Sequence, residues 1–216
     1  MNLAKDFKRF IKNSMRKEKE KELKNYIEEL KTKKMELIDK NAKFLSIERY
    51  RSSLNNGQMI VREKLSKGKT CGSATIICPI TSDNSTILVV QPRVFTETSV
   101  GISFPAGYVE EGEDYKVAAL RELQEETGYT SNNLIEVASY YQDDGISGAF
   151  NKGFIAFDCQ KVSEQNLDES EFIRYFECSI DELFELYEKG YILDGGTQLV
   201  IEKAKEYFKR EKEVYV

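Results

Sequence analysis

Three glutamates on one short predicted helix are the residues of this chain best placed to do chemistry. Glu122, Glu125 and Glu126 lie in the stretch GYVEEGEDYKVAALRELQEETGY, from Gly107 to Tyr129. Asp114 is a good helix N-cap, no Pro or Gly interrupts 114–127, and Gly128 supplies the expected stop. At about 100° per residue, the three glutamates fall within an arc of about 100°. Ala119, Leu120, Leu123 and Thr127 occupy a different side, which should face a core. Carboxylates this close repel one another unless a cation sits among them. Hard oxygen ligands favour Mg²⁺ or Mn²⁺, and Mg²⁺ characteristically takes one or two carboxylates together with substrate phosphates. Arg121, one turn before Glu125, can orient such a carboxylate. The string RELQEE alone would read as a solvated acidic helix. Gly107, Glu113 and Gly128 in register with it argue for the metal site instead.

The chain contains no histidine. This removes the commonest general base, every Ser-His-Asp or Cys-His arrangement, and histidine zinc sites. A metal-activated water with a carboxylate base fits what is left.

At 216 residues the chain fits one domain with an appendage. Its net charge of -5 argues against non-specific nucleic-acid binding. That charge is uneven, because residues 1–40 hold 13 Lys/Arg against 8 Asp/Glu. Residues 1–42 are therefore expected to form a charged helical arm, and 43–216 the folded domain. Two apolar stripes mark the arm, Leu3–Ile11 and Leu23–Leu37, suited to docking on the domain or on a second subunit. A homodimer with the arm contributing is the expectation. Cys71, Cys78, Cys159 and Cys178 form no C-x-x-C pair, and Cys78 and Cys159 read as small core residues. With no signal-peptide pattern and no run of membrane-spanning length, a reduced cytoplasmic protein without stable membrane association is expected.

Past the arm, the pattern predicts strands. FLSIERYR and QMIVREKL flank an Asn56-Gly57 hairpin signal, and Ser73–Ile80 and Thr86–Gln91 flank another turn. Further strands are expected at Leu134–Tyr141, Phe150–Phe157 and Phe172–Cys178, then helices at Ile180–Lys189 and Thr197–Lys209. This order predicts an α+β or α/β layered domain with a mixed sheet.

The spacing G-x5-E-x7-R-E-U-x-E-E-x-G-U (U, bulky apolar) over Gly107–Tyr129 resembles the signature of the Nudix hydrolases. The flanking sequence, from about Phe44 to Phe208, resembles their ADP-ribose pyrophosphatase branch. LVVQPR, ending at Arg93, and SFPAG, at Ser103–Gly107, look like that branch's lead into the signature. The resemblance implies an α/β/α sandwich and hydrolysis of a nucleoside diphosphate linked to another moiety. For ADP-ribose the products would be AMP and ribose 5-phosphate. It further implies that Glu122, Glu126 and the Ala106 carbonyl hold metal, with Glu125 sharing it. By the same resemblance Arg93 contacts the diphosphate, Gly107 lies at the substrate, and Glu113 supports the site without being the base. LDESEFIRY, Leu167–Tyr175, looks like the branch's acidic loop and makes Glu171 the first candidate base, Glu169 the second. Where many relatives carry a Glu two residues before the Pro of P-A-G, this chain has Ser103, so a contact made there would be missing. Stacking on a base must come from Tyr, Phe or Arg, since there is no Trp. Other Nudix substrates, a non-cleaving ADP-ribose sensor, and an interaction protein acting through the arm are the competing readings.

Overall fold

The computed structural model describes residues 17–38, 44–68 and 71–214. In chain order these form α1 (Lys17–Leu30), β1 (Leu45–Ser53), β2 (Met59–Lys67), β3 (Ala74–Thr81), β4 (Ser85–Pro92), β5 (Val100–Ser103) and β6 (Ala106–Tyr108). There follow α2 (Tyr115–Thr127), β7 (Tyr129–Thr130), β8 (Asn133–Tyr141), β9 (Phe150–Lys161), β10 (Arg174–Ser179), α3 (Ile180–Glu188) and α4 (Gly195–Val214).

Successive strand residues point to opposite faces, and the central strands are apolar on both. Ile76, Cys78 and Ile80 of β3 pack on one side with Leu88, Val90 and Ile155. Ile77, Ile87, Phe154 and Ala156 pack on the other. A sheet greasy on both faces needs a helical layer on each. On the first side that layer is α3 and α4, through Leu183, Leu186, Val200 and Ile201. On the second it is α2, through Ala119 and Leu123. The result is the expected α/β/α sandwich. Among the described residues its main sheet has eight strands, with spine β10-β4-β3-β9-β7. The sheet is mixed, because β3 runs parallel to β9 while β4 and β6 pair with β3 antiparallel. Pro79, which cannot donate to a ladder, sits in β3 where the register with β9 shifts.

The N-terminal segment differs from the expected long helix. α1 ends at Leu30, and 31–38 has no regular structure. Leu23 is buried in the core, with Ile27 and Leu30 packed against it, so this stripe docks on its own domain. Beyond Leu30 the next helical positions are Lys33 and Lys34, and without a packed face a helix of this polarity is not sustained. Leu37 is 77% exposed. The Leu3–Ile11 stripe lies outside the described residues. Among the described residues, no helix is long and apolar enough to cross a membrane.

The short strands β5, β6 and β7 were invisible to periodicity because two to four residues cannot show one. They matter nonetheless. β5 and β6 bring Ser103 and Ala106–Tyr108 onto the sheet beside α2.

Candidate active site

The site begins with how α2 is terminated. Asp114, extended at φ -75°, accepts a hydrogen bond from Lys116 N (2.8 Å). Gly128 closes the other end in the left-handed region (φ 80°), donating to Gln124 O. A Cβ there would stand 2.1 Å from Ser163 O, so both conformation and contact require glycine.

Arg121 organises the acidic face. It grips Glu113 through Nε and Nη2, both at 3.0 Å, and donates through Nη1 to Glu122 (2.8 Å) and Glu125 (2.9 Å). Its Nη2 also bonds the Tyr108 carbonyl (3.0 Å), tying β6 to the helix. A planar fork with five donors can serve three carboxylates and a carbonyl where a lysine could not. Arg121 also holds the Glu113 carboxyl below the usual range.

Glu122 and Glu126 are 9% and 4% exposed, whereas amphipathic reasoning placed all three glutamates away from the core. The strand-loop Ala106–Gly107 covers them: Ala106 N donates to Glu126 Oε2 (3.0 Å). A Cβ on Gly107 would fall 2.1 Å from the Glu122 carboxylate, so Gly107 leaves the space that this carboxylate occupies. Burial pushes the Glu122 carboxyl up to about 7 against the pull of Arg121, with Glu125 and Glu171 adding to the rise. Burial, and then Glu122, raise Glu126 well above the ordinary carboxylate range, with Glu171 adding and Arg93 opposing.

Two desolvated, mutually repelling carboxylates are a donor set that fits a hard divalent cation. Among the described residues no three acidic or thiol groups form a ready-made cage.

Burial of these carboxylates makes stability depend on pH. The folded-state value of Glu122 lies above its unfolded value of about 4.5. The resulting stability is fully present below about 4.5 and is lost as pH rises through about 7. The Glu122 shift alone should therefore cost the metal-free protein on the order of 3 kcal/mol by about pH 8, with Glu126 acting in the same direction. Denaturant titration would show this fall, with Glu122→Gln reducing it and Glu126 keeping the remainder; a flat wild-type profile would refute it.

The other predicted site residues arrive from loops. Arg93 follows β4, its Nη1 donating to Gln91 (2.8 Å), and among the described residues it makes no ion pair. Its charge acts on Glu126 and on Tyr108. Glu171 is exposed on the loop before β10, yet its charge reaches both Glu122 and Glu126. Glu169, on the same loop, is exposed and is not among the leading charges on that pair. Ser103 is buried in β5. Sequence reasoning missed Tyr108 and Gln165, whose roles arise from a backbone carbonyl and a loop amide that carry no sequence signal.

A buried pair of glutamates, Glu122 gripped by Arg121 and Glu126 held by Ala106 N, thus stands on a helix packed against a mixed sheet, a donor set and scaffold suited to a hydrolase. A NUDIX domain model matches residues 72–194, more than half the chain, and the protein belongs to this family. It is a Nudix pyrophosphohydrolase of the ADP-ribose pyrophosphatase-like kind. It is 31% identical over 150 residues to the ADP-ribose pyrophosphatase of Bacillus subtilis (69% of this chain, 78% of that protein). It is 33% identical over 150 residues to the methanol dehydrogenase activator of Bacillus methanolicus, with the same coverage. A crystal structure of an ADP compounds hydrolase shares the fold, with TM-score 0.67 and 23% identity over 79% of this chain and 90% of that one. Nudix hydrolases generally use divalent metal ions.

Proposed function

We propose that this protein hydrolyses a nucleoside diphosphate linked to another moiety, with Mg²⁺ or Mn²⁺, and that its substrate is ADP-ribose. The observation that carries this reading is the buried Glu122–Glu126 pair, which the charge of Glu171 reaches at both residues and that of Arg93 at Glu126. Relatives named for ADP-ribose hydrolysis support the substrate.

Glu122 and Glu126 are the proposed metal ligands, with Glu125 sharing or supporting and the Ala106 carbonyl completing the set. A divalent cation held there would neutralise diphosphate oxygens and acidify a bound water. Arg93, unpaired among the described residues, offers its guanidinium fork to the diphosphate, where charge builds on the leaving phosphate. Glu171 takes the proton of the attacking water as the bridging P–O bond breaks, leaving AMP and ribose 5-phosphate; Glu169 is the second candidate. Tyr108, whose carbonyl is bound by Arg121, offers a half-exposed ring 5.8 Å from Phe44 on which Arg93's charge acts. Product analysis across ADP-ribose, other nucleotide sugars, dinucleotides and nucleoside triphosphates tests the reading. Release of AMP and ribose 5-phosphate from ADP-ribose in preference to the rest is the expected result. Preference for another class moves the substrate within the family, and ADP-ribose binding without turnover makes the protein a sensor.

We further propose a cytoplasmic homodimer. Three of the four cysteines are buried as free thiols, which suits a reducing compartment. A two-stranded sheet is marginal alone, and among the described residues β1 and β2 form a separate two-stranded sheet, tied to the body by Leu65 N donating to Ile146 O (2.7 Å). Their register puts Leu45, Ile47, Val61, Met59 and Leu65 on one face, with Ile47 71% and Met59 57% exposed. A second copy is the proposed cover. Light scattering should give a dimer, and Ile47→Lys should weaken it at least about 10-fold if that row is the contact. A wild-type monomer would end the proposal.

A further inference from the structure

The loop between β9 and β10 carries Glu171 with no helix or strand to fix it. A helix C-terminus leaves carbonyls without partners, and here the loop satisfies them. Asn166 N donates to Glu125 O (2.9 Å), while Val162 N and Ser163 N donate to Gly128 O (2.8 and 3.2 Å). Gln165 Nε2 donates to Glu126 O at 2.6 Å and also to Ile173 O at 3.4 Å. A primary amide has two N–H groups, one for each carbonyl. One side chain therefore joins the end of α2 to both ends of the span 167–172.

We propose that Gln165 is a positioning residue for the reaction: its amide closes the base of this loop and sets where Glu171 stands relative to Glu122 and Glu126. The far end of the span has further anchors besides Gln165, because Ile173 is buried and Arg174 pairs with Glu29 of α1 (2.6 Å). Within the span, Glu171 N donates to Asp168 O (2.9 Å) and Asp168 N to Glu171 Oε2 (3.1 Å), so the turn moves as a unit. Its near end depends on Asn166 and Gln165. Only Gln165 does so through a side chain, which makes the link separable from the backbone.

A plain helix-capping role predicts a change in stability and none in the placement of Glu171. The proposal rests on Glu171 being the base, and the test separates the two. Full-length Gln165→Leu and the isosteric Gln165→Glu are compared with wild type for kcat, KM, Mn²⁺ affinity by calorimetry, and amide exchange of 167–172. A misplaced catalytic group costs on the order of 10- to 100-fold, so kcat should fall by about that factor with KM within about 3-fold. Mn²⁺ affinity should stay within about 2-fold and exchange across 167–172 should quicken, because only the loop is released. In a Glu171→Gln background, Gln165→Leu should add less than about 2-fold, since a base already removed cannot be misplaced further. Unchanged exchange in 167–172, a matching loss of Mn²⁺ affinity, or fully multiplicative kcat defects would each overturn the proposal. A fully active Glu171→Gln would remove the base assignment instead, with the exchange data still deciding the latch.

Discussion

Glu126→Gln is expected to lower kcat by about 100-fold or more and to leave the fold intact. The carboxylate of Glu126 is 4% exposed and accepts one hydrogen bond from Ala106 N, which a glutamine oxygen can also accept. The substitution therefore keeps shape and partner and removes only charge. Charge is what a divalent cation needs, and what burial makes costly without one. The metal-free Glu126→Gln protein should then be at least as stable as wild type near pH 8, an activity loss without a stability loss. Glu122→Gln should behave alike, since its carboxylate faces the same way one turn earlier. Steady-state kinetics and thermal melts on the three proteins decide it. Equal kcat would remove Glu126 from the machinery, and a collapsed melt would show that the charge had been structural.

Removing divalent metal should abolish turnover, and adding Mg²⁺ or Mn²⁺ should restore it. With no histidine in the chain, the charged groups acting on the pair are the carboxylates of Glu125 and Glu171 and the guanidiniums of Arg121 and Arg93. At pH 7 neither group alone makes water a strong nucleophile, and two ionised glutamates would repel a diphosphate. Metal binding must also displace protons from Glu122 and Glu126, because burial raises both. Affinity for Mn²⁺ should therefore rise from about pH 6 to pH 8, and calorimetry in buffers of different ionisation heat should detect the released protons. EDTA-treated protein that retains full turnover would refute the mechanism.

The chemistry of this protein was written in local spacing. A helix with an Asp cap, a glycine stop and glutamates at 122, 125 and 126 needs only the 3.6-residue repeat to bring its carboxylates together. The order of strand and helix patterns predicted a layered domain with a mixed sheet and the family resemblance implied the sandwich; the structure shows two helical layers because β3, β4 and β9 are apolar on both faces. The burial of Glu122 and Glu126 could not be read that way, because it depends on Gly107 and Ala106 crossing the helix from a three-residue strand. Among the acidic-loop residues, only the family resemblance ranked Glu171 ahead of Glu169. Glu169 and Glu171 are alike in composition and neighbourhood, and hydrogen bonds from Gln165 and Asn166 to the end of α2 set the loop that brings Glu171's charge to bear. The Leu23 stripe was legible as a docking face, but sequence periodicity does not say on what. The open core above β4 and β10, which only the assembled sheet creates, is what α1 covers. Covalent neighbours and helical repeat specify which groups meet along one element; long-range packing alone decides what shields them from water, and shielding sets their charge.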